Sequence, residues 1–178
     1  MPTPDTIVRT TATEVMREIH SRNAEFAANP ESLYLMIEQR LLPHFDFNLI
    51  SRQVLGRHWS DANAEQRMRF SAAFRRTLVK TYAKALLAFK DDAFEWMPVR
   101  MAPDAADALV KSLVTREGAP ALTVTYKVHL TDGAWLVQDI SIDGVSLVST
   151  YRGQYTQQIR QTTLDRLIQL LEEKAAAS

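Results

Sequence analysis

A carboxylate and a phenol held together in an apolar cavity can move protons, because burial raises the acid towards neutrality and the phenol can donate to a substrate oxygen. The chain offers one such set, Asp139 with Tyr126 or Tyr82, which would suit a small-molecule isomerase or dehydratase. The competing reading is structural. An aspartate at a strand end accepts from free N–H groups, and wall tyrosines turn their hydroxyls to water. Other chemistry is poorly supplied. His20, His44, His58 and His129 are scattered, with no H-x-x-x-H or H-E-x-x-H spacing, so no metal site is expected. The absence of cysteine removes thiol nucleophiles, disulfides and cysteine-based metal sites together. There is no G-x-S-x-G elbow, P-loop or G-x-G-x-x-G. Ser141, Ser146 and Ser149 suit backbone bonding and helix capping better than catalysis.

Charge and hydropathy exclude two classes of partner. Lysine plus arginine equals aspartate plus glutamate at 21 each, and the basic residues form no block, so a nucleic-acid footprint is absent. The longest apolar runs, Leu33 to Ile37 and Ala85 to Phe89, are five residues each, against the roughly 20 that a membrane span needs. No membrane span is expected, and the length suits a single domain over residues 1–178.

The elements that must position these residues follow from periodicity. Residues from about Asp5 to Ala27 form an amphipathic helix, and Asn29-Pro30-Glu31 starts another that Pro43 ends. A short apolar helix from Phe45 to Leu55 stops at Gly56. Ser60 and Asp61 open the longest helix, reaching about Phe89, with Phe74, Leu78, Tyr82 and Leu86 along one stripe. The helical part therefore occupies about residues 5–90, and the pattern changes after Asp91 and Asp92. Phe94 and Trp96, then Pro98, Val99 and Met101, begin a sheet part over about 93–148. Leu109 and Leu113 compete with Val110 and Val114 for the inner face of the next strand. The clearest strand runs from Ala121 to Leu130, with Leu122, Val124, Tyr126, Val128 and Leu130 on one face. Breaks at Pro103-Asp104, Glu117-Gly118 and Asp132-Gly133 separate about four antiparallel strands. A closing helix over about 149–173 and a frayed tail from Lys174 complete an α+β order.

The chain is organised around Asp132 to Tyr155, which joins the last strands to that helix. Trp135 and Val137 share one parity and Ile140 and Ile142 the other, which requires either a strand covered on both faces or a bulge near Gln138 and Asp139. Val145, Leu147 and Tyr151 then lead into the helix. Trp96, Trp135, Val137, the Leu122 to Leu130 face and the Phe74 to Phe89 stripe all meet between sheet and long helix. Taken alone, such a concentration favours a filled core over an internal pocket.

The pattern W-x-x-x-D-I-x-I-x-G-V-S-L from Trp135 followed by Y-R-x-Q-Y from Tyr151 resembles the MlaC family of bacterial periplasmic phospholipid carriers, also called toluene-tolerance proteins. The stretches N-P-E-S-L…I-E-Q-R-L-L-P-H-F (Asn29 to Phe45) and L-G-R-H-W…E-Q-R-M-R-F-S-A-A-F-R-R-T-L-V-K-T-Y-A-K-A-L (Leu55 to Leu86) agree with it. The resemblance implies an NTF2-like cone with additional N-terminal helices, its curved antiparallel sheet carrying helices on the concave face. It reverses the preference for a filled core. Phospholipid acyl chains would lie against Phe74, Leu78, Tyr82, Leu86, Trp96, Val99, Leu122, Val124, Tyr126, Val128, Trp135, Val137, Ile140, Val145, Leu147 and Tyr151. It further implies a monomeric, non-catalytic carrier with no cofactor besides its lipid cargo. Its expected partners are an outer-membrane lipoprotein complex and the lipid-binding ring of an inner-membrane ABC transporter, and its expected role is keeping the outer membrane asymmetric. Met-Pro-Thr-Pro-Asp is not a signal peptide, so export implies a mature segment behind an added methionine.

Overall fold

The computed structural model describes residues 2–89 and 93–177, so the Asp91-Asp92 break lies outside the described residues. Helices α1 (Pro4–Ser21), α2 (Asn23–Ala28) and α3 (Pro30–Arg40) lead through a 3-10 turn, Leu42–His44, to α4 (Phe47–Leu55), α5 (Arg57–Asp61) and α6 (Ala64–Leu87). Strands β1 (Phe94–Trp96), β2 (Asp107–Arg116), β3 (Ala119–Thr131), β4 (Ala134–Ile142) and β5 (Val145–Ser146) follow, then α7 (Leu147–Gln161) and α8 (Leu164–Ala176). The sheet is antiparallel throughout and ordered β1-β2-β3-β4-β5, an open meander. The α+β class expected from the sequence is the one found.

Several boundaries differ from expectation, each for a local reason. The first helix divides at Arg22, whose guanidinium reaches Glu18 behind it and Glu25 ahead of it, both at 2.8 Å, and so holds the break. The longest helix starts at Ala64, not at Ser60 or Asp61, because Asn63 accepts from the Gln66 N–H and Gln66 returns a bond to the Asn63 N–H. Ser60 and Asp61 instead end α5. The closing helix divides at Thr162, where Thr163 Oγ1 caps α8 by accepting from the Arg166 N–H at 3.1 Å. Lys174 lies within α8, so the described part of the expected frayed tail is helical as far as Ala176. The first strand stops at Trp96 short of Pro98, which has no N–H for a ladder. The fifth strand is the two-residue return of Val145 and Ser146 onto Ile142 and Ser141.

The bulge is present. Lys127 pairs with Asp139 but Val128 pairs with Val137, leaving Gln138 as the extra residue in β4. The shift lets Trp135 and Val137 share an inner face with Ile140 and Ile142, opposite Leu130, Val128, Tyr126 and Val124. On β2 that face takes Val110 and Val114, and Leu109 points outward.

Three apolar clusters hold the fold. One joins α1, α2, α3 and the C-terminal half of α6 around Phe26, Leu33, Ile37 and Val79. A second joins α4, α6, α7 and α8 around Phe70, Phe74, Tyr155 and Ile168. The third lies under the sheet, where Val110, Val128, Trp135 and Val137 meet Ile7 and Val8 of α1. The edge of β4 is not left bare: Phe45 forms a parallel bridge with Val137, and the Asp46 N–H donates to the Val137 carbonyl at 2.9 Å.

Candidate functional site

Two small apolar cavities lie between the sheet and the helices. The first is lined by Ile7, Val8, Thr11 and Ala12 of α1, by Leu41, His44 and Phe45, and by Tyr126, Trp135 and Val137 of the sheet. The second is lined by Phe45, Phe47 and Ile50, by Phe74 and Leu78 of α6, by Ile140 of β4, and by Leu147, Val148 and Tyr151 of α7. Each encloses about 40 Å³, little more than the roughly 30 Å³ share of one liquid water. Small-molecule pockets usually offer about 300–1,000 Å³, so neither cavity takes a fatty-acyl chain without its walls parting. A wider depression, about 610 Å³, is lined by Asp46, Arg52, Asp107, Lys127, His129 and Gln138 among others. Those groups prefer water, and this cleft cannot shield hydrocarbon.

The sixteen expected contact residues divide between these places. Tyr126, Trp135 and Val137 line the first cavity, and Phe74, Leu78, Ile140, Leu147 and Tyr151 the second. Val128, Trp96 and Val99 pack in the cluster under the sheet without lining either. Leu86 packs in the cluster of α1, α3 and α6. Leu122 and Val124 are half-buried opposite Val114 and Ser112, beyond both cavities. Tyr82 is 36% exposed and Val145 60%. The remaining lining residues were not among the expected lipid contacts: Ile7, Val8, Thr11 and Ala12 from the amphipathic first helix, Leu41 and His44, Phe47, Ile50, Asp139 and Val148, and above all Phe45, which closes the L-P-H-F stretch.

The acid-phenol set is not assembled. Asp139 borders the second cavity and Tyr126 the first. The Asp139 carboxylate accepts from the Ile140 N–H at 2.8 Å, from the Val148 N–H at 3.2 Å and from the Ser146 hydroxyl. Ser146 in turn accepts from the Ser149 N–H at 3.1 Å as the cap of α7. Asp139 thus fastens β4 to the start of α7. The Tyr82 hydroxyl is paired with that of Tyr151 at 3.1 Å. Burial pushes the Tyr126, Tyr151 and Tyr155 phenols up, and the bond to Tyr82 raises Tyr151 further. All three rings are therefore uncharged near neutral pH. No group of three or more metal-binding side chains occurs among the described residues. No helix among them is long and apolar enough to cross a membrane.

Comparison with known proteins bears on the family and the fold. The chain is 27% identical over 154 residues to the toluene tolerance protein ttg2D of Pseudomonas putida, covering 86% of this chain and 71% of that one. It is 20% identical over 176 residues to the intermembrane phospholipid transport system binding protein MlaC of Haemophilus influenzae, covering 97% and 82%. The structure of a phospholipid-binding protein from Ralstonia solanacearum in complex with a phospholipid superimposes with a TM-score of 0.90 at 28% identity over 98% of both chains. The model of the MlaC protein family matches residues 9–173, so this chain belongs to the MlaC family.

Proposed function

We propose that the protein is a non-catalytic carrier whose apolar cavities open to hold the acyl chains of a phospholipid. The observation that carries this is the pair of apolar cavities between sheet and helices, in a fold shared with a phospholipid-bound relative. Hiding one acyl tail of about 15 methylenes from water is worth about 12 kcal/mol at roughly 0.8 kcal/mol per methylene, before the costs of binding. That margin can part the cavity walls. The chains would lie against Tyr126, Trp135 and Val137 on one side and Phe74, Leu78, Ile140, Leu147 and Tyr151 on the other. Tyr151 lines the second cavity and its hydroxyl pairs with that of the exposed Tyr82, a polar pair that would suit the ester and head-group region. Unloading then needs a second apolar environment at the mouth. An outer-membrane lipoprotein complex and the lipid-binding ring of an inner-membrane ABC transporter would supply it at either end of a route across the periplasm, which preserves outer-membrane asymmetry.

Protein purified from bacterial cells is expected to release phospholipid on organic extraction, read by mass spectrometry. Recovery of none, together with no uptake from vesicles, would sink the carrier. Retention should also be almost independent of ionic strength, since the chains supply the affinity and the net charge is zero. Arg152, the basic residue of the Y-R-x-Q-Y stretch, already donates to the Gln53 carbonyl at 2.7 Å. A tenfold loss of lipid between low and high salt would instead place the affinity in head-group contacts to residues such as Arg152 or Lys84.

A further inference from the structure

Phe45 is the only residue among those described that lines both apolar cavities, and its ring packs against both the helical cluster of α4, α6, α7 and α8 and the cluster under the sheet. It is not free to leave. Its N–H donates to the Leu42 carbonyl at 3.0 Å, and the next N–H, that of Asp46, donates to the Val137 carbonyl at 2.9 Å. Asp46 also caps α4 by accepting from the Leu49 N–H at 3.0 Å. The ring stacks on Phe47, with centroids 5.9 Å apart. The main chain at Phe45 is therefore pinned to the sheet edge on one side and to a helix start on the other. Each cavity has its own opposing walls: α1 against Trp135 and Val137 in the first, α6 and α7 against Ile140 in the second. Each can widen by the movement of its own walls while Phe45 stays in place.

Resting on the carrier function proposed above, we infer that Phe45 is a partition between two chambers that each take one acyl chain, so that a diacyl lipid straddles its ring. The chambers have similar, mainly apolar linings: besides their tyrosines the polar side chains are Thr11 and His44 at the first and Asp139 at the second, whose carboxylate is already engaged by three donors. The residue then sets how many chains the protein keeps, and favours lipids with two.

The test counts chains. Lipid-stripped protein is offered palmitoyl-lysophosphatidylcholine or vesicles of dioleoylphosphatidylcholine, and native mass spectrometry reads the bound number. The unaltered protein is expected to keep two lysolipids or one diacyl lipid. Ile7→Trp puts an indole into the first chamber and Leu78→Trp into the second; both positions are half-buried, which leaves room for the ring without moving backbone. Each variant should keep one lysolipid and lose diacyl retention at least tenfold. Adding Phe45→Ala to Leu78→Trp should restore diacyl binding, since the second chain can lie where the ring was. A single lysolipid on the unaltered protein overturns the partition, and that arm needs no variant to fold. Loss of both lysolipids from a thermally intact single variant overturns it as well, as does failure of a folded double variant to recover the diacyl lipid. In those cases the carrier still stands; binding of neither lipid by the unaltered protein removes both.

Discussion

Replacing Phe74 by alanine is expected to lower the unfolding free energy by about 3–5 kcal/mol, the usual range for removing a buried phenylalanine ring. Phe74 is 1% exposed. It stacks on Phe70 at 5.5 Å and meets Tyr151 and Tyr155 edge-on at 5.2 and 5.8 Å, so one deletion breaks three aromatic contacts and leaves a hole between α6 and α7. For a chain of this size the midpoint of thermal melting should fall by about 6–20 °C. The ring also borders the second apolar cavity, and this is what makes the substitution informative. If the ring belonged only to the wall of an open pocket, its neighbours would lose little, and the cost would stay near about 1 kcal/mol. Urea unfolding distinguishes these outcomes. A large loss says that the pocket is lined by core residues and opens at the expense of core contacts, so bound lipid should raise the melting temperature of the unaltered protein. A small one says that the helical wall is already loose.

The same residue shows how far the sequence could be read. The stripe of Phe74, Leu78, Tyr82 and Leu86 identified one apolar side of the long helix, but a helix of that length passes several neighbours. Phe74 and Leu78 reach the second cavity, Leu86 packs on α1 and α3, and the Tyr82 hydroxyl turns to that of Tyr151 at the surface. Periodicity fixes which side is apolar; only the tertiary arrangement decides what covers each turn. In β4 the local signal was stronger. A parity change between Val137 and Ile140 has few geometric solutions, and the bulge at Gln138 is one of them. On β2 the two alternations were almost equally apolar, and the choice of Val110 over Leu109 goes with the packing of Ile7 and Val8 of α1 under that face. Phe45 could not be found by pattern. Its importance rests on a bridge to Val137 made by a chain segment remote in sequence, and no propensity or spacing encodes that contact. The divisions at Arg22 and Thr162 were hidden for a related reason, since apolar spacing continues across both and the breaks are set by side-chain bonds.

Asp139 gives the sharpest separation between a carboxylate that builds the fold and one that does chemistry. Its three acceptor bonds tie the bulged strand to the first turn of α7: one to its own neighbour Ile140, one to the buried Val148 N–H, and one to Ser146, which caps the helix. A negative charge there also faces the positive end of the α7 dipole. Asp139→Ala removes all of this at once and leaves the Val148 N–H without a partner away from water. Bonds to a charged group contribute about 1.5–3 kcal/mol each and do not add fully, so a total loss of about 2–3 kcal/mol is expected, or about 4–12 °C in the melting midpoint. Asp139→Asn keeps one acceptor oxygen and should lose about half as much. A general acid or base would behave in the opposite way: the amide would keep the structure and abolish turnover, whereas here the amide should keep lipid as well. If Asp139→Ala melts with the unaltered protein, the carboxylate does not hold the strand to the helix, and its place beside the second cavity must then be explained by what that cavity binds.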